Sequence, residues 1–328
     1  MKYEDNSNYV LVIGSSNIDL NIYSKKLPTS GETVTGGKFQ QNLGGKGANQ
    51  AVASIRSGSK TVFIAKVGTD IYGEQMISQL SKEGINTDYM IHDLSESSGI
   101  AFIMVDEKGE NMISVAPGAN ANLLPHEIRN NSELIKNAKV VVVQMEISTD
   151  TIEEIFNIAS QGDAIKILNP APLKYLSPHI LRNIDIIVPN EGELYGLHSS
   201  LNLGDLTLDL DGKMKQASRD IAKTGITTII TTLGSKGSII FQADTDIFTH
   251  IPTLDVQVID TVGAGDCFIG VLASIINQGE DIVKAVKYAS AAASIAVTRE
   301  GAQDSMPHRE EINVNFKKLE KLRNRGEL

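Results

Sequence analysis

The chain has 328 residues, with 30 Lys and Arg against 40 Asp and Glu, a formal charge of −10, so a long polyanion is repelled on average and nucleic acid is excluded as a partner. Hydrophobic residues make up 41% and charged residues 21%, the balance of a globular chain rather than a disordered or fibrous one. Cys267 has no second cysteine to pair with, the N-terminus mixes charges where a signal peptide needs an apolar run, and no segment approaches the ~18 apolar residues of a membrane span, so the expected location is the reducing cytoplasm.

Short apolar runs at 9–13, 61–67, 140–144, 164–168, 184–188, 227–232 and 238–241 predict strands, and helical patterns at 48–57, 72–83, 151–160 and 214–224 lie between several of them. This alternation predicts an α/β fold with a mostly parallel sheet flanked by helices. Segments 19–43, polar and punctuated by glycine, and 99–116, two alternating runs around Asp106-Glu107-Lys108-Gly109, break it. They predict a small separate sheet, which beside a cleft would act as a lid. Further on, 255–259 reads as another β-like run, 271–277 and 282–297 as helices, and the chain beyond Pro307 as charged and helical before it frays.

The segment richest in chemistry is Asp260-Thr261-Val262-Gly263-Ala264-Gly265-Asp266. Three small residues at the start of a helix leave backbone N–H groups bare where the helix dipole adds positive potential, which makes an anion hole. Asp266 follows it, placed either to take a proton from a nucleophile attacking a held phosphate or simply to sit in the first turn of a helix.

A second glycine-rich turn, Leu43-Gly44-Gly45-Lys46-Gly47-Ala48-Asn49, departs from two familiar cradles. Gln40 stands where a P-loop needs its first glycine, Gly47 follows the lysine, and Gln50 occupies the third glycine position of a dinucleotide fingerprint. Its backbone and Asn49 suit sugar hydroxyls, with Lys46 steadying a phosphate; a helix-capping turn is the alternative. Asn17 and Asp19, just past the first predicted strand, point to one side if the chain stays extended, and an amide with a carboxylate suits vicinal hydroxyls as well as it suits a turn.

Glu146, Asn190, Glu191 and Glu193 also follow predicted strands, and acidic groups near a phosphate suggest magnesium held through water. Thr232-Leu233-Gly234-Ser235-Lys236-Gly237 is a tight turn able to approach a nucleotide. The six histidines lack ligand spacing, and Cys267 reads as small-residue packing rather than a nucleophile.

In order along the chain these segments, together with Val67-Gly68-Thr69-Asp70, Pro117-Gly118-Ala119-Asn120, Asn169-Pro170-Ala171-Pro172 and Gly301-Ala302-Gln303, resemble the ribokinase family of carbohydrate and nucleoside kinases. The resemblance implies a three-layer α/β/α sandwich over 9–315, with a β lid from about 19–43 and 99–116, peripheral termini at 1–8 and 316–328, and a homodimer formed through the lids. It implies ATP and ribose as substrates, with Mg2+ and a monovalent cation, usually K+. Asp266 then looks like the base for the ribose O5 hydroxyl, with Gly263, Ala264 and Gly265 as the anion hole. Asn17, Asp19, Gly44, Gly45, Lys46, Asn49 and Glu146 look like sugar contacts. Asn190, Thr232, Gly234, Ser235, Lys236, Gly237, Gly265 and Ser290 look like ATP contacts. Asp260, Val262, Ala296, Arg299, Gly301 and Ser305 would hold the monovalent cation, and Glu193 magnesium through water.

The family's fold also serves 2-deoxyribose, fructose and adenosine. Asn17 favours ribose, since a group built to bond a 2-hydroxyl is left unpaired by the sugar lacking it. A non-catalytic sugar sensor on the same scaffold is disfavoured by Asp266 beside an intact Gly-Ala-Gly, and a nicotinamide oxidoreductase by Gly14-Ser15-Ser16-Asn17 after the first strand.

Overall fold

The structure is a computed structural model that describes residues 8–206 and 210–323; of the expected peripheral termini 1–8 and 316–328, residues 1–7 and 324–328 lie outside the described residues. From the N-terminus run β1 (Val10–Ile13), β2 (Asn17–Tyr23), β3 (Lys38–Gly44), α1 (Lys46–Arg56), β4 (Thr61–Ile64), β5 (Lys66–Gly68) and α2 (Ile71–Lys82). Next come β6 (Ile91–Asp93), the hairpin of β7 (Gly99–Val105) and β8 (Asn111–Ala116), a 3-10 turn at Gly118–Asn122, and the short helices α3 (Pro125–Arg129) and α4 (Ser132–Lys136). The middle of the chain holds β9 (Val140–Gln144), α5 (Thr149–Ala159), β10 (Ile165–Asn169), α6 (Pro178–Leu181), β11 (Ile186–Ile187), α7 (Glu191–Ser200) and α8 (Leu210–Ala222). β12 (Thr228–Thr232), β13 (Ser238–Gln242), β14 (Ile247–Ile251), α9 (Ala264–Asn277), α10 (Ile282–Ala296) and α11 (Arg309–Arg323) complete it.

The main sheet has the order β14-β13-β12-β11-β10-β9-β1-β4. It is parallel from β4 to β12 and turns antiparallel for β13 and β14. Helices cover both faces, so its central strands are apolar throughout. Val10, Val12, Val140 and Val142 face α1, α9 and α10, while Leu11, Ile13, Val141 and Val143 face the side of α5 with Ile155 and Phe156. Each such fully buried side chain contributes about 1.5–3 kcal/mol. Cutting one to alanine leaves a void in a layer closed from both sides.

A second sheet of order β3-β2-β7-β8 stands on the expected lid segments. The β7–β8 turn closes as its sequence predicts: Asp106 accepts from Lys108 N and Glu110 N, and Gly109 takes the left-handed φ of 80°.

The structure departs from three expectations. The run 61–67 divides into β4 and β5, the latter pairing with β6 instead of the main sheet. Segment 255–259 is no strand, because its Ile259 N–H goes to Val297 O at the end of α10 and leaves Val258 and Ile259 exposed. The packed body also runs past 315: α11 continues to Arg323, burying Leu319 and stacking Phe316 on Tyr288 with ring centroids 3.8 Å apart. No helix among the described residues is long and apolar enough to cross a membrane.

Candidate active site

β1 ends at Ile13, and the chain crosses through Ser15 and Ser16 into β2 of the second sheet, where Asn17 and Asp19 point the same way. Gly44 pairs with Asn17 across β3, and a Cβ on Gly44 would lie 2.2 Å from Asp19 Oδ2. Only glycine there leaves room for the Asp19 carboxylate. Burial, then the negative charges of Glu146 and Asp266, push the Asp19 pKa up to about 6.

α1 begins against the end of β1. Its first amide, Lys46 N, donates to Glu146 Oε2 at 3.0 Å, which Ser15 Oγ also reaches, and Ala48 N donates to Ser15 O at 2.9 Å. Glu146 is therefore a carboxylate at a helix N-terminus, where the dipole favours its charge. The Lys46 ammonium is held above its ordinary pKa, chiefly by Asp266.

Asp266 lies in the first turn of α9 and is 6% exposed. Asn49 Nδ2 donates to its Oδ2 at 2.9 Å and Gln50 Nε2 to its Oδ1 at 3.0 Å. Gln50 also gives Nε2 to Asn169 Oδ1 at 3.2 Å and accepts Gln144 Nε2 at 2.7 Å, so side chains at the ends of β9 and β10 orient the amide that orients the carboxylate. Asn49 Oδ1 is buried with no partner among the described residues, an acceptor left for a ligand hydroxyl.

Just before Asp266 the chain opens. Gly263 has φ 73° with a notional Cβ 3.0 Å from Ala302 Cα, while a Cβ on Gly265 would meet nothing within 4 Å. The Gly263 and Gly265 amides have no protein acceptor among the described residues, whereas Ala264 N donates to Thr261 O at 3.3 Å. That open space adjoins a cavity of about 400 Å³ lined by Thr232, Gly234, Ser235 and Gly237 on one side and Gly265, Phe268 and Ser290 on another.

Most residues singled out in the sequence thus converge, on two sides of the α9 N-terminus. Of the expected nucleotide contacts, Asn190 and Lys236 do not line the cavity. Asn190 caps α7 by accepting from Glu193 N at 2.8 Å, and its own N–H returns to Glu193 Oε2, so both are engaged in a capping box. Burial raises the Glu193 pKa, against the Asn190 N–H and Lys46, which lower it, and Asp266 adds a smaller upward push. No cluster of three or more His, Cys, Asp or Glu side chains able to hold a metal occurs among the described residues. Burial pushes the Cys267 thiol up to about 12, as suits packing rather than nucleophilic attack.

Behind α9, Asp260 accepts Val262 N and Gly301 N, both at 3.0 Å, and so ties the loop before the helix to the one after α10. Of the carbonyls expected around the cation, those of Asp260, Val262, Arg299 and Gly301 accept no backbone N–H among the described residues, whereas that of Ala296 takes Arg299 N at 3.1 Å as α10 ends. The Arg299 side chain turns away to pair with Glu311, and the Ser305 hydroxyl bonds Ala302 O at 2.8 Å.

Sequence reasoning passed over Gln50, Gln144, Asn169 as a bonding partner, and Phe268. The resemblance did pick out the segments holding Gln50 and Asn169; the missing signal was their mutual contact, which only the fold supplies.

The profile of the pfkB family carbohydrate kinases matches residues 7–309. A bifunctional ribokinase/ribose-5-phosphate isomerase A of Fructilactobacillus sanfranciscensis is 39% identical over 305 residues, 92% of this chain, which spans 55% of that longer protein. A deoxyribokinase of Salmonella typhi is 36% identical over 93% of this chain and 97% of its own length. The structure of Arabidopsis thaliana ribokinase complexed with ribose and ATP superposes with a TM-score of 0.87 at 30% identity, covering 94% of this chain and 98% of that one. With the matched profile spanning both the sheet and the loops around Asp266, the chain belongs to the pfkB family of carbohydrate kinases.

Proposed function

We propose that this kinase transfers the γ-phosphoryl group of ATP to the 5-hydroxyl of D-ribose. The observation that carries the reading is the place of Asp266: between the polar groups of the second sheet and α1 on one side, and the open cavity at Gly265 on the other. The sugar hydroxyl gives its proton to the Asp266 carboxylate as its oxygen bonds to the γ-phosphorus. The bond from that phosphorus to the β–γ bridging oxygen breaks, and ADP leaves with the electron pair. Free amides at Gly263 and Gly265, with the α9 dipole and Lys46, stabilise charge on the transferred group, and such placement supplies most of phosphoryl-transfer catalysis.

Asp19, Asn17 and the unpartnered Asn49 Oδ1 would hold the sugar hydroxyls, and the cavity along Thr232–Gly237 and Ser290 the nucleoside. Magnesium, when bound, neutralises phosphate charge, and Glu193 would hold it through water. The unclaimed carbonyls near Asp260 suit a monovalent cation such as potassium, which would fix the loop that carries Gly263. The second sheet exposes Phe39 and Phe102 on one face and Ile113 and Val115 on the opposite face beside its open edge at β8, and that edge is suited to the lid of a second copy, making the enzyme a homodimer.

The Salmonella relative supports 2-deoxyribose as a second substrate reading. Initial rates of ADP formation with ribose, 2-deoxyribose, fructose and adenosine, each with magnesium and with potassium or a large inert cation, decide between them. Preference for ribose is expected; preference for another acceptor keeps the kinase and overturns ribose, and no turnover with any overturns the kinase.

A further inference from the structure

Asn120 lies in the 3-10 turn after β8 and is 2% exposed. Its Oδ1 accepts Ser16 N at 2.9 Å, and its Nδ2 donates to Ser16 O at 3.1 Å and to Asn17 Oδ1 at 2.7 Å. A backbone N–H can only donate and a backbone carbonyl can only accept, so Ser16 admits one orientation of the Asn120 amide. One Asn120 N–H serves Ser16 and the other is directed at Asn17, which must answer with its oxygen. The Asn17 amide is thereby turned the other way, with both N–H donors unclaimed by any described residue and not sealed off. The contact is close: a Cβ on Gly99 would sit 2.2 Å from both Asn120 Nδ2 and Asn17 Oδ1.

We infer that Asn120 is a specificity-determining positioning residue: through Ser16 it fixes the polarity of Asn17, so that the sugar pocket offers a pure donor at Asn17 beside the acceptor carboxylate of Asp19. An amide free to turn would offer a sugar hydroxyl either an N–H or a carbonyl oxygen and discriminate poorly. A locked one accepts only a ligand oxygen with a lone pair directed at it, and its N–H groups lose that partner when the oxygen is missing. This inference rests on the proposed sugar-kinase reading.

The test compares Asn120→Ala with Asn120→Asp. Alanine releases Asn17; a carboxylate at 120 accepts and cannot donate, so Asn17 turns its NH2 to it and presents a carbonyl oxygen to the sugar. The KM for ribose is expected to rise about tenfold or more in Asn120→Asp, and by less in Asn120→Ala, with kcat and the KM for ATP within about threefold of the wild type. A merely structural role gives the opposite order, since aspartate nearly matches asparagine in shape. A smaller effect in Asn120→Asp than in Asn120→Ala, or an unchanged KM in both, overturns the inference while the wild type remains active.

Because Asn120→Asp could fail to fold, side-chain amide NMR of the 15N-labelled wild type is the second readout. Ribose alone is expected to shift the Asn17 NH2 resonances and leave those of Asn120 in place; no shift at Asn17 overturns the proposal without any variant. Wild-type enzyme inactive on every sugar overturns the kinase reading and this inference with it.

Discussion

Gln50 Nε2 sits 3.0 Å from Asp266 Oδ1, and the same nitrogen bonds Asn169 while its oxygen takes Gln144 Nε2. The carboxylate at the head of α9 is thereby tied to the ends of β9 and β10. Gln50→Leu keeps the volume and removes the tie. Turnover is expected to fall about ten- to a hundredfold, as for a reacting group displaced by ~1 Å, with little change in the KM for sugar. Unpaired Gln144 and Asn169 should lower stability by about 1–3 kcal/mol, read by denaturant unfolding beside steady-state kinetics.

Asp266→Asn removes the proposed base and leaves most of the pocket standing. Sugar affinity measured by calorimetry should therefore stay near that of the wild type, while turnover drops by roughly two to four orders of magnitude, the range for a lost general base. Near-normal turnover would remove Asp266 from the chemistry.

Asp19 gives a pH dependence with a definite sign. Its folded pKa of about 6 lies above the ordinary 3.8, so the proton is bound more tightly in the fold than in the unfolded chain. The stability this contributes is full below the ordinary value and is lost as pH rises through about 6. Sugar binding by the ionised carboxylate runs the other way, so kcat/KM for ribose should fall as pH drops through this region. Asp19→Asn should lower kcat/KM throughout and remove that limb of the profile.

Asp260 accepts one amide from each of two loops. Asp260→Ala unties them, and activation by potassium should disappear, leaving the rate in potassium equal to that in a large inert cation. Retained activation in this variant would move the cation away from these loops.

Ile113 is 58% exposed on β8. Ile113→Glu should cost the subunit under about 0.5 kcal/mol yet halve the mass seen by light scattering. An unchanged mass would place any subunit contact elsewhere.

The central strands were legible in the sequence because burial on both faces demands unbroken apolar runs such as Val140 to Val143. The α9 helix was legible only in part: the periodic pattern begins at Val271, while the helix starts at Ala264. Glycine in a first turn costs little, so Gly265 reads as a turn although it is helical. Segment 255–259 has the alternation of a strand, and nothing local tells it that Val297 will take its hydrogen bond. The amides of Gln50, Asn120, Gln144 and Asn169 come from four separate stretches of chain. Each alone looks like an ordinary polar residue, and their meaning arises when two sheets and a helix end meet.

Asn17 and Asp19 belong to the second sheet, whereas Glu146 and Asp266 belong to the main body. A sugar held as proposed would therefore bridge two separately built sheets, and the jaws would have their full set of contacts only when it is present. An enzyme arranged in this way has a built-in guard against wasteful hydrolysis, because water alone cannot join the two sides and so is a poor acceptor for the phosphoryl group of a waiting ATP.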